Sequence, residues 1–199
     1  LKVNEQVLIP RPDTETWLEK VIQYYRNETG LKVADLGTGS GAILVGFLYY
    51  CRDAVGVGVD ISTEALKIAE ENGQNLKITD RVEWRQGDYL KAFDEEDIFD
   101  GIFSNPPYIP TKDIGGLSRE VKHEPRLALD GGTDGLYFYH LLAKGAAEHL
   151  KPGGFLAVEF GIGQATDILE MFRKSAQYED FEVIKDYGGI ERALYCRKK

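Results

Sequence analysis

The sequence predicts an α/β fold: a doubly wound, mostly parallel seven-stranded sheet with helices on both faces and a C-terminal antiparallel strand pair. Three observations carry this expectation. Short apolar runs alternate with segments of helical periodicity, the pattern of parallel strands joined by crossover helices. Four strand ends carry residues suited to ligand chemistry, at Gly37–Gly41, Asp60, Asp88 and Asn105, and open α/β sheets bind ligands at the carboxyl ends of their strands. The last two runs, Phe181–Ile184 and Ala193–Cys196, are joined across Gly188-Gly189 and read as an antiparallel pair.

The elements follow in order. Val7-Leu8-Ile9 is a short apolar run stopped by Pro10 and Pro12. Asp13 stands where an N-cap belongs, ahead of a helix that buries Trp17, Leu18, Val21 and Ile22. Residues 1–30 thus read as a hairpin and helix flanking the domain proper at 31–199. A buried strand at Lys32–Leu36 runs through Gly37-Thr38-Gly39-Ser40-Gly41 into a helix from Ala42 to about Tyr50. Ala54–Val59 is a second strand, ended by Asp60, and Ser62 caps a helix with Ala65, Leu66 and Ala69 on its apolar face. Strands at Val82–Arg85 and Phe99–Ser104 come next. Ile109 to about Asp134 is rich in Gly and Pro and reads as a long, mobile functional loop. A helix from Leu136 to Leu150, a turn at Lys151–Gly154, a strand at Phe155–Phe160 and a helix from Gln164 to about Ser175 lead to the terminal pair.

Bulk properties narrow the function classes. The 199 residues fit one domain, and a formal net charge of −9 disfavours a clamp on duplex DNA, which needs a basic face. No run of about 18 apolar residues exists to span a membrane. Cys51 and Cys196 lack metal-ligand spacing and read as core residues of a protein in a reducing, cytoplasmic compartment. His123, His140 and His149 have no ligand cluster around them, so no metal is expected. Arg197-Lys198-Lys199 reads as a solvated terminus. The chain opens on Leu1 rather than Met, and N-terminal material is expected to precede it.

The glycine turn suits close approach of a ligand to the backbone, and the helix behind it favours an anionic group. Its G-x-G-x-G spacing is not that of dinucleotide dehydrogenases. Asp60, nineteen residues past Gly41, suits the two hydroxyls of a ribose, although capping the next helix is the simpler alternative. Asp88 is placed to accept from an adenine amino group, with Tyr89 packing on the ring, against the plainer reading of a solvated acid beside a core aromatic.

Asn105-Pro106-Pro107-Tyr108 is the most specific signal. An amide or aniline-like nitrogen is a poor nucleophile because its lone pair is delocalised. Two acceptors on its two N–H groups would aim that lone pair: the Asn105 side-chain oxygen and the Pro106 carbonyl. The prolines stiffen the backbone and Tyr108 offers a face for a planar group. Such a site works by orientation and polarisation, without a strong general base.

These residues resemble the HemK-type protein-(glutamine-N5) methyltransferases, which modify peptide-chain release factors. The likeness covers nearly the whole chain: Val7 to Glu15, with Asp13 where Glu is more usual; Asp35 to Ala42; Ser104 to Ile109; and Glu124 to Gly132 with Asp134-Gly135-Leu136, a segment that general adenine methyltransferases lack. Phe160 stands where a smaller or branched residue is more familiar. The resemblance implies the class I S-adenosylmethionine-dependent fold, with S-adenosylhomocysteine as product. It implies transfer of a methyl group to the glutamine of a Gly-Gly-Gln motif. The cofactor candidates are Asp35, Gly37, Thr38, Gly39, Ser40, Gly41, Asp60, Asp88, Tyr89 and Asn105. The catalytic and substrate-binding candidates are Asn105, Pro106, Pro107 and Tyr108. A monomer is expected, with release factors as partners, no stable nucleic-acid partner, and the family's N-terminal helical domain outside this chain. The alternative is a methyltransferase for exocyclic amines of adenine or guanine, which shares the Asn-Pro-Pro-Tyr chemistry but needs a separate recognition surface. A cofactor-binding subunit without catalysis would have no need of that loop.

Overall fold

The computed structural model describes residues 1–118 and 121–199. A seven-stranded sheet in the order β3-β2-β1-β4-β5-β7-β6 forms the centre. Its strands are β1 (Lys32–Leu36), β2 (Val55–Asp60), β3 (Val82–Gln86), β4 (Phe99–Ser104), β5 (Leu150–Glu159), β6 (Tyr178–Lys185) and β7 (Glu191–Lys198). The first five pair in parallel, while β7 pairs antiparallel with both β5 and β6. The order reverses between β1 and β4, which creates the crevice where such sheets bind ligands.

Helices α1 (Pro12–Tyr25), α2 (Ala42–Tyr50) and α3 (Thr63–Asn75) cover one face. There Trp17, Leu44 and Phe47 pack with Phe103 and Phe155 of the sheet. Helices α4 (Tyr137–Gly145) and α5 (Ala165–Lys174) cover the other, where Tyr139, Leu142, Ile168 and Phe172 meet Leu36, Val59, Ile102 and Val158. The central strands are apolar on both sides because both faces are covered.

Several local expectations are corrected. Residues 1–11 form no strand, so the hairpin expected within 1–30 is absent; only a turn near Val7 is present. Pro10 and Pro12 lack the N–H groups that a ladder requires. Asp13 is not the N-cap of α1. The helix starts one residue earlier with Pro12 in its first turn, Arg11 is the cap position, and Asp13 pairs with Arg192 at 2.9 Å. The Lys151–Gly154 turn lies inside β5, which accommodates it through an irregularity opposite Phe99 and Gly101. Helix α4 is correspondingly shorter, ending in a 3-10 turn at Ala146–His149.

The stretch 109–134 carries 3-10 turns at Thr111–Gly116, Val121–His123 and Arg126–Ala128, and a bridge between Ile109 and Asp130. The part of the expected mobile loop at 119–120 lies outside the described residues. Among the described residues no helix is long and apolar enough to cross a membrane, and no cluster of His, Cys, Asp and Glu suits a metal ion.

Candidate active site

A cavity of about 240 Å³ opens at the carboxyl ends of β1, β2 and β4. Gly37–Ser40 form one wall, Asp60, Ile61 and Ser62 a second, and Tyr89, Asn105 and Pro107 a third. Val7, Leu8, Pro10 and Thr14 close it from the N-terminal side, and Pro125, Leu127 and Ala128 from the long connection.

The glycine turn is built from main-chain bonds. The N–H groups of Gly37 and Thr38 both donate to the Val59 carbonyl at 2.9 Å, which ties the end of β1 to the end of β2. Gly37 has φ +73°, and a Cβ there would lie 2.9 Å from the Tyr89 hydroxyl. Gly39 has φ +55° and nothing within 4 Å of where a Cβ would stand. The first glycine thus makes room for a neighbour, while the second opens the turn toward the cavity.

Asp60 joins this turn to the next helix. Its Oδ2 accepts from the Gly39 N–H at 2.8 Å and its Oδ1 from the Ser62 N–H at 2.9 Å. Ser62 itself caps α3 by accepting from the Ala65 N–H. Asp60 therefore does not replace the cap, and each of its oxygens keeps a lone pair for a ligand. Burial raises its carboxyl above the ordinary range, and the backbone donors pull it down.

Asp35 lies beneath the turn, fully buried, with Oδ2 accepting from the Thr38 hydroxyl at 2.7 Å. Burial pushes it up to about 7, against the Thr38 bond. Its Oδ1 and the Tyr89 hydroxyl are buried with no hydrogen-bond partner among the described residues. Tyr89 has φ +51°, unusual for a side chain with a Cβ, and stacks on Phe138 with centroids 4.5 Å apart.

The acceptor side is assembled differently. Asn105 is half-buried at the end of β4, and Pro106 and Pro107 are buried. Gln164 reaches back with Nε2 donating to the Tyr108 carbonyl at 3.1 Å and the Gly135 carbonyl at 3.3 Å. A Cβ at Gly131 would lie 2.7 Å from the Pro107 carbonyl oxygen, and one at Gly135 only 2.3 Å from that of Tyr108. The Gly131 and Gly135 segment therefore presses directly on the Asn-Pro-Pro-Tyr loop. Arg11 pins the same segment, its Nη2 contacting both oxygens of the buried Glu124 at 2.7 and 2.9 Å.

Sequence reasoning missed Glu159, at the end of β5. Its side chain is buried, and its Oε2 accepts from the Thr14 hydroxyl at 2.6 Å and the Trp17 indole at 2.7 Å. Burial raises its carboxyl; Thr14, Trp17 and the side-chain amide of Asn105 all pull it back, as donors do. The available signal was an acid at the end of an apolar strand, the rule already used for Asp60.

The structure gathers Gly37, Thr38, Gly39, Ser40, Asp60, Tyr89, Asn105 and Pro107 around one cavity. The other expected residues do not line it. Asp35 is underneath, and Gly41 is shut in by Ala69, Trp84 and Val45. Asp88 is exposed and paired with Lys91. Pro106 is buried, and Tyr108 packs against the core and close to Gly161. The residues present fit S-adenosylmethionine: an open glycine turn, a carboxylate with free lone pairs, and two orphaned polar atoms beside the turn.

A family model described as "Methyltransferase domain" matches residues 27–159. The chain is 44% identical to a release factor glutamine methyltransferase of Bradyrhizobium diazoefficiens, over 99% of this chain and 67% of that one. It is 41% identical to a protein of the same name from Moorella thermoacetica, over 100% of this chain and 70% of that one. Among solved structures, an RNA methyltransferase from Salinibacter ruber in complex with S-adenosyl-L-homocysteine superposes with a TM-score of 0.59. It is 18% identical, over 96% of this chain and 94% of that one, which is a likeness of fold. Sequence, fold and cleft agree: this chain belongs to the release factor glutamine methyltransferases, enzymes whose methyl donor is S-adenosylmethionine.

Proposed function

We propose that this chain methylates the side-chain amide nitrogen of the glutamine in the Gly-Gly-Gln motif of peptide-chain release factors. The observation that carries the reading is Asn105 and Pro107 at a strand end, opening on the cavity that the glycine turn and Asp60 also line. When bound, S-adenosylmethionine supplies an electrophilic methyl on a positively charged sulfur and leaves as the thioether S-adenosylhomocysteine. Asp60 holds the ribose hydroxyls through its free lone pairs, and the Gly37–Ser40 turn receives the amino-acid end. Asn105 Oδ1 and the Pro106 carbonyl accept the two N–H groups of the substrate amide and aim its lone pair at the methyl. Once methylated, the amide nitrogen would carry one proton too many and would release it to solvent, so the site needs no general base of its own. The residues act by placement and by polarity in a site partly closed to water.

Release factors are then the partners of a monomeric enzyme working in the cytoplasm, where termination occurs. The net charge of −9 and the relatives both favour this over a nucleic-acid amine as acceptor. The test is mass spectrometry of a release factor incubated with the enzyme and methyl-labelled cofactor. One methyl on the Gly-Gly-Gln glutamine is expected; label on nucleic acid and none on the release factor overturns the reading.

A further inference from the structure

Glu159 is an acid in a largely apolar layer, and burying its carboxylate form is costly unless donors compensate. Its donors are of one kind. The Trp17 indole can only donate, and the Thr14 hydroxyl is committed to donating. Both take Oε2, which leaves Oε1 for the side chain that the strand register sets beside it: Ser104 lies opposite Val158 in parallel, so Asn105 and Glu159 leave β4 and β5 side by side on the α1 face. An ionised carboxylate offers acceptors alone, so Asn105 must turn its NH2 group toward it. The two ends of an asparagine amide are nearly the same size, and sterics do not choose between them. The hydrogen-bond partner makes the choice.

We infer that Glu159 is a positioning residue for methyl transfer: it takes the NH2 group of Asn105 and thereby turns the Asn105 side-chain oxygen toward the cavity. The inference rests on the proposed role of Asn105 as acceptor for the substrate amide. Thr14 and Trp17 belong to the same device. They approach from α1, which lines the same cavity as Asn105, and hold the carboxylate at one place. A wrongly turned Asn105 would offer N–H to N–H, which repels the substrate amide just where its lone pair must be aligned.

Three variants test this by single-turnover and steady-state methylation of a release factor. Glu159→Gln keeps shape and can still accept from Thr14 and Trp17, but its own NH2 group favours the reversed Asn105. The turnover number should fall about 10²-fold, while KM for both substrates moves by less than about threefold. Glu159→Asp is shorter but still accepts only, and it should retain more activity than the isosteric Gln. A packing role predicts the opposite order, which would overturn the inference. Asn105→Asp combined with Glu159→Gln restores a donor facing an acceptor. It should turn over at least about tenfold faster than Asn105→Asp alone, where two carboxylates meet. Additive or worse loss in the double variant overturns the inference. Should Glu159→Gln fail to fold, which cofactor calorimetry would reveal, Glu159→Asp decides alone. Activity within about tenfold of wild type then supports the assignment, and a loss equal to that of Asn105→Ala defeats it. If instead Asn105→Ala itself leaves turnover intact, the proposed acceptor role fails, and that result is distinct from a failure confined to Glu159.

Discussion

At the ends of β1 and β2 the cleft is made of main chain; at the ends of β4 and β5 it is held in place by side chains. The Gly37 and Thr38 amides bond to the Val59 carbonyl and continue the sheet itself, and the Gly39 amide bonds to the Asp60 carboxylate. The Asn105–Tyr108 loop depends on Gln164, on the Arg11–Glu124 pair and on Glu159 with its two donors. The first construction is local and stiff, suited to a small cofactor of constant shape. The second draws residues from α1, β5 and the 109–134 connection, suited to admitting part of another protein. Changes in the first half should therefore act on cofactor affinity, and changes in the second on turnover.

The largest expected contrast is in hydrogen exchange of the protein without substrates. Amides of β4 at Phe99–Ser104 should exchange only with global unfolding, on the order of 5–15 kcal/mol. Apart from Thr111, whose amide donates to the Gly132 carbonyl, those in the 3-10 turns at Thr111–Gly116 and Arg126–Ala128 rest on bonds within one turn, beside residues as open as Leu127, which is 72% exposed. They should exchange by local opening, faster by several orders of magnitude. Ile109 and Gly131 should fall between, since Gly131 donates to the Ile109 carbonyl and Ile109 to that of Leu129. Turn amides as slow as those of β4 would erase the distinction between the two constructions.

Next in size is Asn105→Ala. Loss of one aligned acceptor in a closed site should lower single-turnover methyl transfer about 10²–10³-fold, with cofactor affinity little changed. A loss appearing chiefly in cofactor binding would move Asn105 into the other half. Asp60→Ala should show the mirror image. Calorimetry should find cofactor binding weaker by about 1.5–3 kcal/mol, while turnover at saturating cofactor changes far less. Unaltered binding would reduce Asp60 to its contacts with Gly39 and Ser62.

The same contrast explains what could be read in advance. Gly37–Ser40, Asp60 and Asn105 each follow an apolar run directly, so local pattern alone put them at strand ends. The network around Glu159 was not legible, because its donors Thr14 and Trp17 stand 145 and 142 residues away in the chain. Nor was the clamp of Gly131 and Gly135 on Pro107 and Tyr108, which a sequence shows only as a loop with glycines. Asp13 was misread as a cap for a similar reason. Its partner Arg192 comes from β7, near the other end of the chain, and Pro12 starts the helix without a side-chain cap.

The smallest expected effect concerns Asp35, the buried acid of the cofactor half. Glu159 on the acceptor side has donors from Thr14 and Trp17, whereas Asp35 has the Thr38 hydroxyl on Oδ2 and none on Oδ1 among the described residues. Burial accordingly lifts Asp35 to about 7, against about 3.9 for an unfolded aspartate. Between those values the folded chain binds a proton that the unfolded chain has released. Its contribution to stability is full below the unfolded pKa and is lost as pH rises through about 7. One proton limits the slope to about 1.4 kcal/mol per pH unit. Urea unfolding of the cofactor-free protein between roughly pH 5 and 8 should show wild type losing stability with rising pH by more than Asp35→Asn does. The comparison is of slopes, so an overall loss in the variant does not matter. Parallel slopes would mean that Asp35 is ionised throughout, and that a polar group stabilises its Oδ1 as well as Glu159 is stabilised across the cleft.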